Sequence, residues 1–245
     1  MRRFFFDPEQ RCGDIVTLSA QESKHLIRVL RLKEGTEVEL LDGLGNVFSG
    51  VTVVGNKDVQ VEITGVCPPS SGPSGNLCVW QAVLKGEKMD TVVQKCTELG
   101  VVAVYPYWAE RCQGRLDQQM AAKKLSRWQR ISLAACKQCF RREPMIIERP
   151  APADELFAKR ERVENGLSLL FWEEEKEVHL RDVKGIADAP AIDLMLGPEG
   201  GLSENEVGAA VNNGWQTVGL GERILRAETA TLTAVSIVQY LSGRL

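Results

Sequence analysis

The apolar positions along the chain change their rhythm once. Up to residue 66 they fall in short runs with frequent polar breaks: Arg2 to Phe6, Glu37 to Leu41, Val47 to Val54 and Val59 to Val66. Runs of this length, rich in Val and Phe, read as strands. Gly43-Leu-Gly-Asn46 and Gly55-Asn-Lys-Asp58 supply turns, so the strands are expected to pair as antiparallel neighbours. One helix interrupts them, opened by Ser19 with Glu22 three residues on as a capping box, and carrying Leu26, Val29 and Leu30 on one face. This part is expected to be a small β-barrel or β-rich module.

Beyond residue 76 strands and helices alternate. The strands are expected at Leu77 to Leu84, Val101 to Tyr107, Met145 to Glu148, Leu167 to Trp172, Ile192 to Leu196 and Thr217 to Leu220. Most are continuous apolar runs, which indicates a parallel sheet covered on both faces. The helices are expected at Lys88 to Leu99, Asp117 to Cys139, Ala153 to Arg160, Ser203 to Asn213 and Ala227 to Leu241. Between the two rhythms lies Cys67-Pro-Pro-Ser-Ser-Gly-Pro-Ser-Gly-Asn76, which can hold neither a helix nor a ladder. The expected division is therefore a β-rich domain over 1–67, a linker over 68–76 and an α/β domain over 77–245.

Composition narrows the class. With 245 residues, 44% hydrophobic and 26% charged, the chain is neither disordered nor fibrous. No apolar run approaches the roughly eighteen residues a membrane helix needs, and the opening breaks at Asp7 and Pro8 before a signal-peptide core could form. A soluble cytoplasmic chain is expected, with no membrane partner. The seven cysteines, odd in number and scattered, are read as reduced thiols.

The net charge of −3 hides an asymmetry: residues 76–149 carry 13 basic and 7 acidic side chains, whereas the segments on either side are net acidic. Gathered positive charge on an acidic protein suits local contact with a polyanion such as nucleic acid, although a solvated helix face also fits. Within this segment Lys123, Arg127 and Arg130 share one helical face, with Trp128 beside it. Arginine and tryptophan together suit phosphate contact and base stacking. Cys136 and Cys139, without a second cysteine pair and with only His25 and His179 in the chain, are read as packing residues and not as a zinc site.

Two loops carry the candidate chemistry. In Leu194-Met-Leu-Gly-Pro-Glu-Gly-Gly-Leu-Ser-Glu-Asn-Glu206 an apolar strand ends in a glycine loop, after which Ser203 and Glu206 cap a helix. Glycines there let backbone groups approach a ligand closely, though a tight strand-to-helix turn fits the segment equally. The spacing matches neither the dinucleotide fingerprint nor a P-loop. The next strand ends likewise in Gly219-Leu-Gly-Glu-Arg-Ile-Leu-Arg-Ala-Glu228, and a core turn has no need of two arginines and a glutamate.

Leu196-Gly-Pro-Glu-Gly-Gly-Leu-Ser203 and Leu220-Gly-Glu-Arg-Ile-Leu-Arg-Ala-Glu-Thr-Ala230 together resemble the paired signature motifs of the RsmE family of 16S ribosomal RNA uridine N3-methyltransferases. The resemblance extends through Lys85-Gly-Glu-Lys-Met-Asp90, Gln94 to Val101, Glu110-Arg-Cys112, Arg127-Trp128, Ala134 to Cys139, Arg3-Phe-Phe5 and His25 to Arg31, covering essentially the whole chain. It implies a SPOUT-type α/β domain with a carboxyl-terminal trefoil knot, preceded by a PUA-like barrel that helps hold RNA. It also implies a homodimer and a reaction on 16S ribosomal RNA or the small ribosomal subunit, with S-adenosyl-L-methionine as methyl donor and no metal.

Carried onto this chain, the resemblance places Leu196, Gly197, Glu199, Gly200 and Gly201 of the first loop, and Leu220, Gly221, Ile224 and Leu225 of the second, around the cofactor. Arg226 is the residue expected to orient the base and stabilise its charge; Glu199 and Glu228 either assist or fix loop amides. Arg3, Arg28, Arg31, Arg127, Arg130 and Arg141 are the expected RNA contacts. The chain departs from some relatives at Lys137, at Phe140, which replaces a small residue, and at Glu173-Glu-Glu175. Two other functions share some of these features: a non-catalytic RNA-binding or assembly factor, and a methyltransferase acting on transfer RNA.

Overall fold

The computed structural model describes residues 2–54, 58–68, 76–112, 118–159 and 163–245. By internal contacts the chain forms two compact units, one of 1–72 with 136–144 and one of 73–135 with 145–245. The stretch expected as a linker falls mostly outside the described residues, as does the expected turn at 55–57.

In the first unit β1 (Arg2–Phe5), β2 (Arg11–Cys12), β3 (Ile15–Thr17), β4 (Glu37–Leu41), β5 (Val47–Val54) and β6 (Val59–Val66) form one sheet ordered β1-β4-β5-β6-β3-β2. The β4–β5 and β5–β6 ladders are antiparallel as expected, but β1 lies parallel to β4, since the intervening chain returns it in the same direction. Gly50 sits at a register shift in β5, where a Cβ would come within 2.6 Å of the Val61 side chain. Phe4, Leu26, Val38, Leu40, Val59 and Val61 fill the core between the sheet and its helix.

That helix, α1 (Ala20–Lys24), runs directly into a π-helical stretch, His25–Leu30. Only half of the expected capping box forms. Ser19 Oγ accepts the Glu22 N–H at 3.3 Å, but the Glu22 carboxylate turns to the Lys137 ammonium, a full charge partner, instead of back to the Ser19 amide. The π-helical stretch leaves Lys24, His25, Arg28, Val29 and Arg31 exposed while Leu26 is buried.

The second unit is a seven-stranded parallel sheet. Its strands are β7 (Asn76–Ala82), β8 (Ala103–Trp108), β9 (Ile146–Ile147), β10 (Ala151–Pro152), β11 (Leu167–Phe171), β12 (Ala191–Leu196) and β13 (Gln216–Val218). The order is β10-β8-β7-β12-β11-β13, with β9 also beside β8. Successive side chains point to opposite faces. Leu77, Val79, Leu169, Leu194 and Leu196 therefore pack on one side, and Trp80, Ala82, Leu170 and Met195 on the other.

The first side is covered by α2 (Lys88–Glu98), α3 (Gln118–Cys139) and α6 (Ala227–Leu241), the second by α4 (Ala153–Lys159) and α5 (Glu204–Asn212). Both faces are thus buried, which is why most of these strands are predominantly apolar. No described helix is long and apolar enough to cross a membrane.

Candidate functional site

Three strands end together. Phe171 of β11 is in register with Leu196 of β12 and with Val218 of β13, so the loops that follow all leave one edge of the sheet. The carboxyl ends of parallel strands are where open α/β sheets hold ligands. A cavity of about 530 Å3 opens there, within the usual range for small-molecule sites. Leu196, Gly197, Glu199, Gly200, Gly201, Leu220, Gly221, Ile224, Leu225 and Arg226 all line it.

The first loop is braced along its whole length. Tyr107 donates its hydroxyl to the Leu196 carbonyl at 2.9 Å, and burial pushes that phenol well above its ordinary pKa, so it remains a donor. Buried Gln81 donates to the Gly197 carbonyl at 3.3 Å and accepts from Thr231 of α6, tying loop and helix to β7. Arg111 donates to the Gly200 carbonyl at 3.1 Å. Here the capping box is complete: Ser203 Oγ accepts the Glu206 N–H, and Glu206 accepts the Ser203 N–H at 2.9 Å while its other oxygen takes the Glu110 N–H. At Gly201 φ is +71°, and a Cβ there would run into the Glu173 carboxylate.

The second loop is held mainly at its start. Gly219 donates to the Val178 carbonyl and accepts from the Leu180 N–H. Glu175 fastens the opposing segment, accepting from the Thr217 hydroxyl and from the Glu177 and Val178 amides, hydrogen bonds that lower its pKa. Beyond Gly219 the loop is open, and Ile224 is 86% exposed. Arg226 is the N-cap residue of α6 and makes no side-chain capping bond. Among the described residues neither Arg226 nor Glu173 has an ion pair or side-chain hydrogen bond, so a free guanidinium and a free carboxylate line one cavity.

Glu199 and Glu228 are differently placed. Glu199 accepts from the Lys85 N–H and from Lys88 Nζ, both at 3.1 Å, and Lys88 Nζ also stands 3.7 Å from Glu228 Oε2. Burial raises the Glu199 pKa, but backbone amides and Lys88 outweigh it and hold the carboxyl below its ordinary value. Glu228 does not line the cavity, and its Oε2 is buried without a hydrogen bond. Lys88, Gln81, Tyr107 and Arg111 received no site role from the sequence. Lys88 lies in the quoted segment Lys85 to Asp90, yet its two carboxylate partners are more than a hundred positions away.

The expected RNA contacts divide by environment. Arg28, Arg31 and Arg130 are exposed, as are Lys123 and Arg127 on the same helix face as Arg130. Arg127 is paired with Asp90 at 2.6 Å and with Glu87 at 3.9 Å. Arg3 is paired with Glu39 at 2.6 Å beneath the Phe140 ring, and half-buried Arg141 donates to the Glu143 carbonyl. The expectation of Trp128 as a stacking surface is corrected: it is buried in the core, because its position on α3 faces the sheet. All seven cysteines are free thiols; Cys136 packs against the Glu143 carbonyl.

Comparison with known proteins bears on this site. Residues 71–239 match the RNA methyltransferase domain family and residues 18–64 the RNA methyltransferase PUA domain family. The ribosomal RNA small subunit methyltransferase E of Synechocystis is 33% identical over 98% of this chain and 77% of its own. The solved structure of the protein of that name from Neisseria gonorrhoeae, bound to S-adenosyl methionine, is 32% identical, covers 98% of both chains and has a TM-score of 0.87. A methyltransferase structure from Legionella pneumophila with bound cofactor SAM is 32% identical, covers 97% of this chain and 96% of its own, and has a TM-score of 0.88.

Proposed function

We propose, for a chain that belongs to the RNA methyltransferase family with ribosomal RNA small subunit methyltransferase E among its relatives, methylation of uridine N3 in 16S ribosomal RNA at the expense of S-adenosyl-L-methionine. The observation that carries this reading is the joining of both glycine loops around one cavity at the carboxyl ends of β11, β12 and β13. The residues suit the cofactor. Leu196, Leu220, Ile224 and Leu225 offer apolar surface for a flat heterocycle, and glycine backbone offers close donors and acceptors. Glu173 offers a free carboxylate to a cationic ligand.

Bound there, S-adenosyl-L-methionine would supply an electrophilic methyl group on a sulfonium. Uridine N3 would give up its imide proton to a nearby carboxylate or to water and accept that methyl group, with S-adenosylhomocysteine as the product. Negative charge on the base spreads to O2 and O4, and the guanidinium of Arg226 can hold both the charge and the orientation of the ring. Glu199 and Glu228 act through position: with Lys88 between them they tie the first loop to the start of α6. Arg28, Arg31 and Arg130 supply phosphate contacts.

The same reading includes a trefoil knot, a homodimer and a cytoplasmic location. The knot is supported by the chain path: β13 lies at the sheet edge, yet the helix that follows it packs on α2 and β12, past the first loop. The dimer is supported by Ile237, Tyr240 and Leu241, which remain exposed on α6, whereas Val235 and Val238 are buried within the chain. Calorimetry should show S-adenosyl-L-methionine binding to the protein, and mass spectrometry of nucleosides from treated small ribosomal subunits should show N3-methyluridine. Binding without any methylated uridine would overturn the assignment.

A further inference from the structure

We infer that Phe140 is a stacking platform for an unpaired RNA base, a site distinct from the cavity between the glycine loops; the inference rests on the proposed action on RNA. Phe140 follows the last residue of α3, the position where helices commonly close with glycine in the left-handed conformation. Its φ is +63°, a conformation that costs an L side chain energy that glycine would not spend. Burial does not offset that cost, because the residue is 62% exposed. A backbone outlier that displays a ring to solvent calls for a use outside the core.

The ring is held from beneath. The Arg3 guanidinium carbon lies 4.6 Å from its centroid, and Arg3 itself is fixed by Glu39 at 2.6 Å, with its side chain only 10% exposed. Arg3 Nη1 is buried without a hydrogen-bond partner, so the guanidinium spends its free donor side under the aromatic face instead of in water. All of these residues belong to the first compact unit, so the platform is complete within it. A flat, outward ring with a fixed cation behind it suits another flat ring, and a nucleobase meets that description whatever its sequence. Arg141 and Arg142 follow directly in the chain, and exposed Arg28 and Arg31 belong to the same unit, which favours a polyanion over a neutral aromatic partner.

The test uses the full chain and a single-stranded uridine-containing RNA oligonucleotide with one 2-aminopurine, whose fluorescence falls on stacking. Phe140→Gly and Phe140→Leu should weaken binding about fivefold to a hundredfold, the range for loss of one stacked base. Both should abolish the quenching at saturating protein, while Phe140→Trp should keep affinity and quenching. The leucine variant keeps a cover over Arg3, so a loss there is a loss of the aromatic face and not of folding. If all three variants bind and quench like the unaltered protein, the inference is overturned and the proposed function stands. A changed mass by light scattering with unchanged RNA binding would assign the ring to a protein contact and also overturn it. If the unaltered protein does not bind this oligonucleotide, the inference is overturned, whereas the proposed function falls only if small ribosomal subunits gain no N3-methyluridine.

Discussion

The two glycine loops lie side by side at the sheet edge and differ in how they are supported. The first has a hydrogen bond involving a side chain at each of Leu196, Gly197, Glu199, Gly200 and Ser203, with partners drawn from β7, β8, the segment after β8, the segment before α2, and α5. The second is fixed at Gly219 and again where α6 begins, and between them it exposes Glu222, Arg223 and Ile224. A preformed wall limits the entropy lost on binding, whereas an open stretch is completed by what it binds. On the proposed function both loops line the cofactor, and it is the open one that also carries Arg226 toward the substrate.

The largest expected effect tests the second loop. Arg226→Ala should lower the rate of N3-methyluridine formation by about a hundredfold to a thousandfold, the cost of one well-placed donor, with cofactor affinity near that of the unaltered protein. Arg226→Lys should recover little, because a point charge lacks the planar fork. Single-turnover assays beside calorimetry separate rate from affinity. Joint loss of melting temperature and affinity would make Arg226 another brace and erase the contrast.

A smaller effect is expected in the first loop. The Glu173 carboxylate can swing away from a new side chain, but the φ of +71° at Gly201 remains unfavourable for any branched residue. Gly201→Val should weaken S-adenosyl-L-methionine binding by about tenfold to a hundredfold, from a backbone cost of roughly 1–3 kcal/mol. Unchanged calorimetric affinity would remove this loop from the cofactor site.

The smallest effect concerns the ion pairs of Lys88, which are partly exposed and screened. Lys88→Met should weaken cofactor binding by no more than about fivefold. The pH dependence is more informative. A carboxyl with a lowered folded pKa stabilises the fold above its unfolded pKa, near 4.3 for glutamate, and that support is lost as pH falls through the lower folded value. The brace at Glu199 should therefore persist below the ordinary glutamate value in the unaltered protein and fail at a higher pH in Lys88→Met. Melting curves from pH 3 to 6 would show the difference, and coincident profiles would remove Lys88 from the brace.

Several features were legible because they are local. The apolar runs at Leu167, Ile192 and Thr217 and the glycines after them mark parallel strands with open ends, and each begins within one residue of its observed strand, though the third was expected to run two residues further. The three-residue spacing made the capping box of Ser203 and Glu206 legible, although the same spacing at Ser19 and Glu22 yields only half of one because Lys137 takes the Glu22 carboxylate. Helix α3 shows the limit of that logic. Its exposed cations were legible from spacing, but spacing does not say that Asp90 neutralises Arg127 or that Trp128 faces the sheet.

By itself, then, the sequence determined most of the strands and helices, though not the short strands β2, β3 and β10, together with where the chain can turn and which loops can admit a ligand, since all of these depend on neighbours a few residues away. Tertiary structure alone decided that β1 runs parallel to β4, that 136–144 packs with the first unit, and that Lys88 stands between Glu199 and Glu228. It also decided that Arg3 lies under Phe140. Each of these is a meeting of residues far apart in the chain. The energy of such a meeting depends on a distance that only the folded chain sets, and a charge or ring that looks free in the sequence is free only if nothing folds against it.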